Sequence, residues 1–158
     1  MQENGLVKYV RGDQTLSVNA TDVGNVGSGE DDLMTYTIPA GQLSTNNDRI
    51  EFEGVYQFTG ANSKTIKVYF GSQLLTTIGA GTVVAFFNIK GTIIRTGATT
   101  QKASITMVSS STLYQYNVDI STPAETLSGT VVLKSTGTAT ADNDIVQKSF
   151  VVNFKPAP

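Results

Sequence analysis

The stretch Arg49-Ile50-Glu51-Phe52-Glu53-Gly54-Val55-Tyr56-Gln57-Phe58 decides the fold. Ile50, Phe52, Gly54, Tyr56 and Phe58 take every second position, and Arg49, Glu51, Glu53 and Gln57 fill places between them. Successive side chains of a strand point to opposite faces, so this alternation reads as a half-buried β-strand, one face in a core and the other in solvent. The same period recurs outward. Ile66, Val68 and Phe70 alternate with Thr65, Lys67 and Tyr69. The link Thr59-Gly60-Ala61-Asn62-Ser63 has hairpin-loop composition, which predicts that these two strands form a hairpin.

Further strands are predicted at 33–38, 74–78, 83–96, 102–108, 113–120, 127–134 and 145–154, with turns at 109–111, 121–123 and 136–138. Gly79-Ala80-Gly81 ends the short strand at 74–78, and Gly91 is expected to bend or bulge the long one at 83–96. In the strand at 113–120, Tyr114, Tyr116, Val118 and Ile120 share a side and are expected in the core or a subunit interface. Apolar residues almost nowhere follow helical spacing. The chain is therefore read as all-β, an antiparallel two-sheet β-sandwich.

The first thirty residues differ. Residues 6–10 and 15–18 read as short strands, and Asp22-Val23-Gly24-Asn25-Val26-Gly27-Ser28-Gly29 reads as a flexible linker. The expected organisation is an N-terminal arm at 1–21, a Gly-rich linker at 22–31 and a sandwich domain at 32–158. Alternating Leu6, Lys8 and Val10 with Tyr9 suit pairing with another chain, so Leu6, Val7, Lys8, Tyr9, Val10 and Arg11 are the candidate contact residues. A disordered terminus, or the first strand of the same sandwich, is the alternative.

Composition narrows function. The 158 residues are 39% hydrophobic and 15% charged, with net charge -2, which describes one domain able to bury a core. Without Cys or His there is no disulfide framework, thiolate nucleophile, Cys/His zinc site or Ser-His-Asp triad. Eleven basic and thirteen acidic residues are spread along the chain, leaving no basic stripe for nucleic acid or an anionic membrane. No run approaches the roughly 20 apolar residues of a spanning helix. Met1-Gln2-Glu3-Asn4-Gly5 carries an acid where a secretory signal carries basic residues, so synthesis in a cytoplasm without export is expected.

Few constellations carry chemistry. Glu51 and Glu53 stand roughly 7 Å apart on one strand face, within glycosidase spacing, but Arg49 and Gln57 share that face and it reads as a solvated surface. Glu30-Asp31-Asp32 and Asp142-Asn143-Asp144 offer oxygen ligands for calcium, yet neither has the EF-hand pattern, and acids at strand entrances serve as turn formers and edge protection. Arg11-Gly12-Asp13 is read as a turn and Asn19-Ala20-Thr21 as an unused glycosylation sequon. Gly79-Ala80-Gly81 lacks the Lys and following helix of a phosphate loop. No catalytic residue, metal site or cofactor is expected. A sugar-stacking platform would rely on Tyr56, Tyr69, Tyr114 or Tyr116, of which Tyr56, Tyr114 and Tyr116 fit a core better.

Four segments in order carry a resemblance: Leu33-Met34-Thr35-Tyr36-Thr37-Ile38-Pro39-Ala40 with Leu43-Ser44-Thr45-Asn46 and Asp48-Arg49-Ile50-Glu51; Lys64-Thr65-Ile66-Lys67-Val68-Tyr69-Phe70-Gly71; Ile94-Arg95-Thr96-Gly97-Ala98-Thr99-Thr100-Gln101-Lys102-Ala103; and Thr138-Ala139-Thr140-Ala141-Asp142-Asn143-Asp144-Ile145-Val146-Gln147. Spanning roughly 32–154, they resemble a jelly-roll module that recurs in tailed-bacteriophage structural proteins. The resemblance implies a non-enzymatic jelly roll that assembles as a homotrimer, either on the capsid surface as a decoration or cement protein or at a tail fibre or spike tip. Fibre modules follow a long shaft, whereas here the module is nearly the whole chain, which favours the expectation of a decoration protein. Its partners would be the major capsid protein and further copies of itself, and its place the virion. A receptor-binding tip recognising host surface glycan, through loops such as 59–63 or 136–143, is the alternative. Residues 83–94 suit a trimer, with apolar side chains on both faces as in a strand covered by a core and by a neighbouring subunit.

Overall fold

The computed structural model describes residues 11–111 and 116–158, and its strands are β1 (Gln14–Asn19), β2 (Val23–Gly24), β3 (Glu30–Ile38), β4 (Arg49–Phe58), β5 (Lys64–Phe70), β6 (Gln73–Gly81), β7 (Ala85–Gly97), β8 (Thr100–Ser109), β9 (Tyr116–Ser121), β10 (Val131–Thr138) and β11 (Ile145–Lys155). The described residues contain no helix. One sheet has the order β1-β11-β4-β7-β8-β9, with β2 also on β11, and the other has the order β3-β10-β5-β6. All pairings are antiparallel. Four pairs of strands, β1/β2 with β3, β11 with β10, β4 with β5 and β7 with β6, divide between the two sheets in the same order. That is jelly-roll winding, extended by the β8–β9 hairpin.

Alternation places the core as the period predicts. Ile50, Phe52, Tyr56 and Phe58 of β4 are buried between the sheets beside Phe150, Val152 and Phe154 of β11, facing Ile66, Val68 and Phe70 of β5 and Leu133 of β10. Phe58 and Phe87 lie with ring centroids 4.4 Å apart, and Phe52 meets Phe150 edge-on at 6.2 Å.

A polar seam crosses this apolar layer. The Tyr56 hydroxyl bonds to Ser135. The Ser135 hydroxyl donates to Gln147 Oε1 at 2.7 Å, which also accepts from the Met34 amide at 2.9 Å. Tyr56 and Gln147 belong to the large sheet, Ser135 and Met34 to the small one, so the seam ties the layers together. Two of the four participating strands, β10 and β11, are irregular there: register shifts between Lys134 and Thr136 and between Gln147 and Ser149. Such bulges turn polar side chains inward, and the burial is tolerated because the polar atoms have partners.

Several expectations are corrected. The strands at 49–58 and 64–70 do not form a hairpin; β4 pairs with β7 and β11, β5 with β6 and β10, and residues 59–63 cross from one sheet to the other. Loop composition cannot distinguish a hairpin from a crossing, since both need turn residues. The strand expected at 127–134 begins at Val131 and runs to Thr138 through the turn expected at 136–138, and β6 continues through Gly79-Ala80-Gly81. At Gly91 neither the pairing with β4 nor that with β8 breaks register. A Cβ there would lie 2.2 Å from the ring tip of Phe52 and 2.7 Å from Ile105 Cδ1, so glycine makes room for the aromatic ring. Ile120, expected in the core or a subunit interface, is 73% exposed, which removes the core from those two places.

The first thirty residues are also rearranged. The expected arm at 1–21 and linker at 22–31 differ from the structure over 14–31: β1 is the first jelly-roll strand, paired with Phe150–Phe154 of β11, and β2 pairs with Val146 and Gln147. Asn25, expected in a flexible linker, is fully buried. Its amide donates to the Ile145 carbonyl (3.1 Å), its Oδ1 accepts from the Ile145 amide (2.9 Å), and its Nδ2 reaches the Ala141 carbonyl (2.9 Å). Leu6, Val7, Lys8, Tyr9 and Val10 lie outside the described residues.

Candidate functional site

Of the candidate contact residues, Arg11 is described, and it is bonded to the sandwich. The carboxylate of Asp48, in the loop before β4, gathers both ends of the chain. Its Oδ2 accepts from the Ser44 amide (2.9 Å), the Thr45 amide (2.8 Å) and Arg11 Nη1 (2.8 Å), and its Oδ1 accepts from the Ala157 amide (3.0 Å). Arg11 also donates to the Ser44 hydroxyl (2.9 Å) and the Gln42 carbonyl (2.5 Å), and its guanidinium lies 4.6 Å from the Phe154 ring centroid. A planar guanidinium suits this combination of fork and stack. Burial pushes the Asp48 carboxyl up, but the amides of Thr45 and Ala157 and the Arg11 guanidinium outweigh it and hold the group below the ordinary aspartate value. The Arg11-Gly12-Asp13 tripeptide is thus not a turn; its ends grip the body, Asp13 receiving Lys155 Nζ at 2.5 Å.

The N-terminal segment consequently leaves from a fixed point beside an open sheet edge. β1 bonds to β11 on one side and to no described strand on the other, and Val18 stands 67% exposed on it. An edge strand of this kind can accept a further strand through its backbone.

The carboxylates considered for catalysis or metal have other partners. Glu51 receives Arg49 Nε at 2.8 Å; Glu53 receives Asn88 Nδ2 at 2.6 Å and lies 3.4 Å from Lys90 Nζ. Glu30 receives Lys67, Thr136 and Tyr69 at 2.6, 2.7 and 3.0 Å, and its pKa is lowered by those bonds, Lys67 foremost. Asp31 accepts from the Val26 amide and Asp142 from the Gly27 amide. Asp144 holds Asn62 and the Ala141 amide. Among the described residues no three acidic groups gather as a metal site. Asp31, Asp142 and Asp144 fasten loops, while Glu30, Glu51 and Glu53 bond to residues of strands. The sequon is closed on itself as well, Asn19 Oδ1 accepting from the Thr21 amide.

The tyrosines divide. Tyr56 is buried, and burial drives its hydroxyl pKa well above the ordinary value. Tyr69 borders an open groove of about 360 Å³ on the outer face of the small sheet, lined also by Glu30, Asp32, Lys134 and Thr136. Asp32 and Lys134 are paired there at 2.6 Å. Tyr114 lies outside the described residues; for Tyr116 only the strand position is described. The apolar run Val83-Val84-Ala85-Phe86-Phe87 reads from sequence as a buried strand, yet Val84 and Phe86 are 68% and 51% exposed, and Val108 on the outer face of the large sheet is 61% exposed. Their signal was the two-sided apolar pattern of 83–94.

No protein-family model and no curated protein matches the chain. Among solved structures it is similar to the CBM2 module of the evolved Dit of Lactobacillus casei BL23 phage J-1, at 10% identity and a TM-score of 0.44, over 78% of this chain and 70% of that one. The jelly-roll assignment rests on this chain's own strand order.

Proposed function

We propose that the chain is a non-enzymatic virion structural protein, a capsid decoration protein that binds the outer surface of a phage head as a homotrimer and stabilises it. The reading rests on the four-segment resemblance, and the observation that carries it is the N-terminal segment anchored by Arg11 and Asp48 beside the open edge of β1. Residues 1–10 supply Leu6, Val7, Lys8, Tyr9 and Val10 for pairing with a capsid-protein strand, and the clamp sets where they start. A ligand that binds only the assembled lattice stabilises it by mass action, and three linked contacts raise avidity.

The test is sedimentation of the purified protein with capsids lacking it. Full-length protein is expected to co-sediment and to raise the temperature at which shells open, and a chain lacking residues 1–10 is expected to stay folded and remain in the supernatant. Undiminished binding by the truncated chain sinks the arm reading.

The groove beside Tyr69 favours a second reading, a receptor-binding tip for host surface glycan. It combines an aromatic edge with alternating donors and acceptors on Glu30, Asp32, Lys134 and Thr136, which suits sugar hydroxyls. Glycan binding lost on Tyr69→Ala, with no binding to shells, would select this reading over decoration.

A further inference from the structure

Three neighbouring strands bring an apolar recess to the outer face of the large sheet. Register sets Val55 of β4 and Val108 of β8 on either side of Asn88 of β7, and Phe86 lies two residues along β7 on the same face. These side chains, with Ser109 and Ser110, line a recess of about 260 Å³. Asn88 at its floor gives Nδ2 to Glu53 at 2.6 Å, while its Oδ1 is buried without a partner among the described residues. A buried acceptor without a partner is costly.

Two observations select the occupant. Charge on this face is nearly balanced, with Arg49 paired to Glu51, Lys90 to Glu53, Lys148 to Asp22 and Lys155 to Asp13 and with Lys102 as one further positive charge, so it neither recruits a strongly charged partner nor strongly repels a second copy of itself. The chain's own N-terminal segment starts at the wrong end: Arg11 is bonded to Asp48, before the first residue of β4, whereas Gln57, near its last, faces Phe86. At strand rise the recess at Val55 lies about 23 Å along β4 from Asp48, whereas Leu6, five residues before Arg11, reaches at most about 18 Å, so the apolar residues of that segment fall short of it.

We propose that the recess of Val55, Phe86, Asn88 and Val108 is the surface on which a neighbouring copy of this chain packs in the homo-oligomer. The proposal takes the homotrimer from the function proposed above and places its contact. Val84, 68% exposed just before β7, adds apolar surface to that face.

The test is the mass of the full chain by light scattering over a hundredfold concentration range, for the wild type, Phe86→Asp and Val108→Lys, each checked for a cooperative thermal transition. A wild-type trimer with both variants monomeric, or at least tenfold more dissociated, is the expected result. Val108→Lys decides alone should Phe86→Asp fail to fold. A folded variant that stays trimeric, or a wild type that is monomeric throughout, overturns the proposal. Sedimentation with shells reads the decoration function separately: a wild-type trimer dissociated by the variants that ignores shells keeps the interface and removes decoration, and a trimer that binds shells but resists both variants does the reverse.

Discussion

A single methyl group at position 91 probes the packing of the large sheet. Gly91→Ala puts a Cβ within 2.2 Å of Phe52 and 2.7 Å of Ile105, both buried. Neither side chain can withdraw from a filled core, so a loss of about 1–3 kcal/mol is expected in urea denaturation, and Phe52→Leu in the same background should recover part of it. In the polar seam, Tyr56→Phe leaves Ser135 bonded to Gln147 and should cost about 1 kcal/mol, whereas Gln147→Leu orphans the Met34 amide and should cost about 2–3 kcal/mol. Equal losses would contradict the seam's wiring. Asp48 sets an acid limit. Its folded pKa lies below the ordinary 3.8, so its contribution is complete above that value and disappears as pH falls through the folded value. Asp48→Asn should lower stability by about 2–4 kcal/mol at neutral pH and flatten the pH dependence below about pH 4, measured by urea midpoints from pH 2 to 7. An unchanged acid slope would remove Asp48 from that role.

At the scale of elements, β1 and the residues before it should separate cleanly. Removing residues 1–10 should leave the melting temperature nearly unchanged, while removing 1–19 strips β1 and the Arg11 anchor from β11. A loss of about 3 kcal/mol corresponds to a drop of roughly 10 °C for a domain of this size, and scanning calorimetry of the two truncations reads the difference. This follows from the one place where the reading of 1–31 as arm and linker departs from the structure. Val18 and Ser17 look like a free arm because a sheet-edge strand with one partner carries a weak alternation, and Gly24, Gly27 and Gly29 around Asn25 look like a linker because composition does not reveal that Asn25 bonds to residues 141 and 145. By contrast, the faces of β4 and β5 were legible, because parity along one strand is a local property that one buried side imposes.

For the whole molecule, the winding joins distant parts of the chain: β1 lies beside β11, and β3 beside β10. Loops must close over most of the chain before these contacts form, so refolding from urea should be slow for a domain this small, in milliseconds to seconds. β11 is central, hydrogen-bonded to β1, β2 and β4, so a chain ending at residue 144 should not fold at all, as read by the loss of near-ultraviolet circular dichroism. A cooperative transition in that truncated chain would contradict the sheet order.

By itself, the sequence determined the all-β class, the faces of the strong strands, the exclusion of Cys- and His-based chemistry, and an apolar excess at 83–94. Each depends on residue type or on neighbours two positions away. Only the tertiary structure decided that 49–58 and 64–70 lie in opposite sheets, that Gly91 makes room for Phe52, that Glu53 is held by Asn88 and Lys90, and that Val55, Phe86 and Val108 form one recess. These are relations between residues far apart in the chain. They arise from which strands come to lie side by side, and alternation within one strand carries no record of its neighbour.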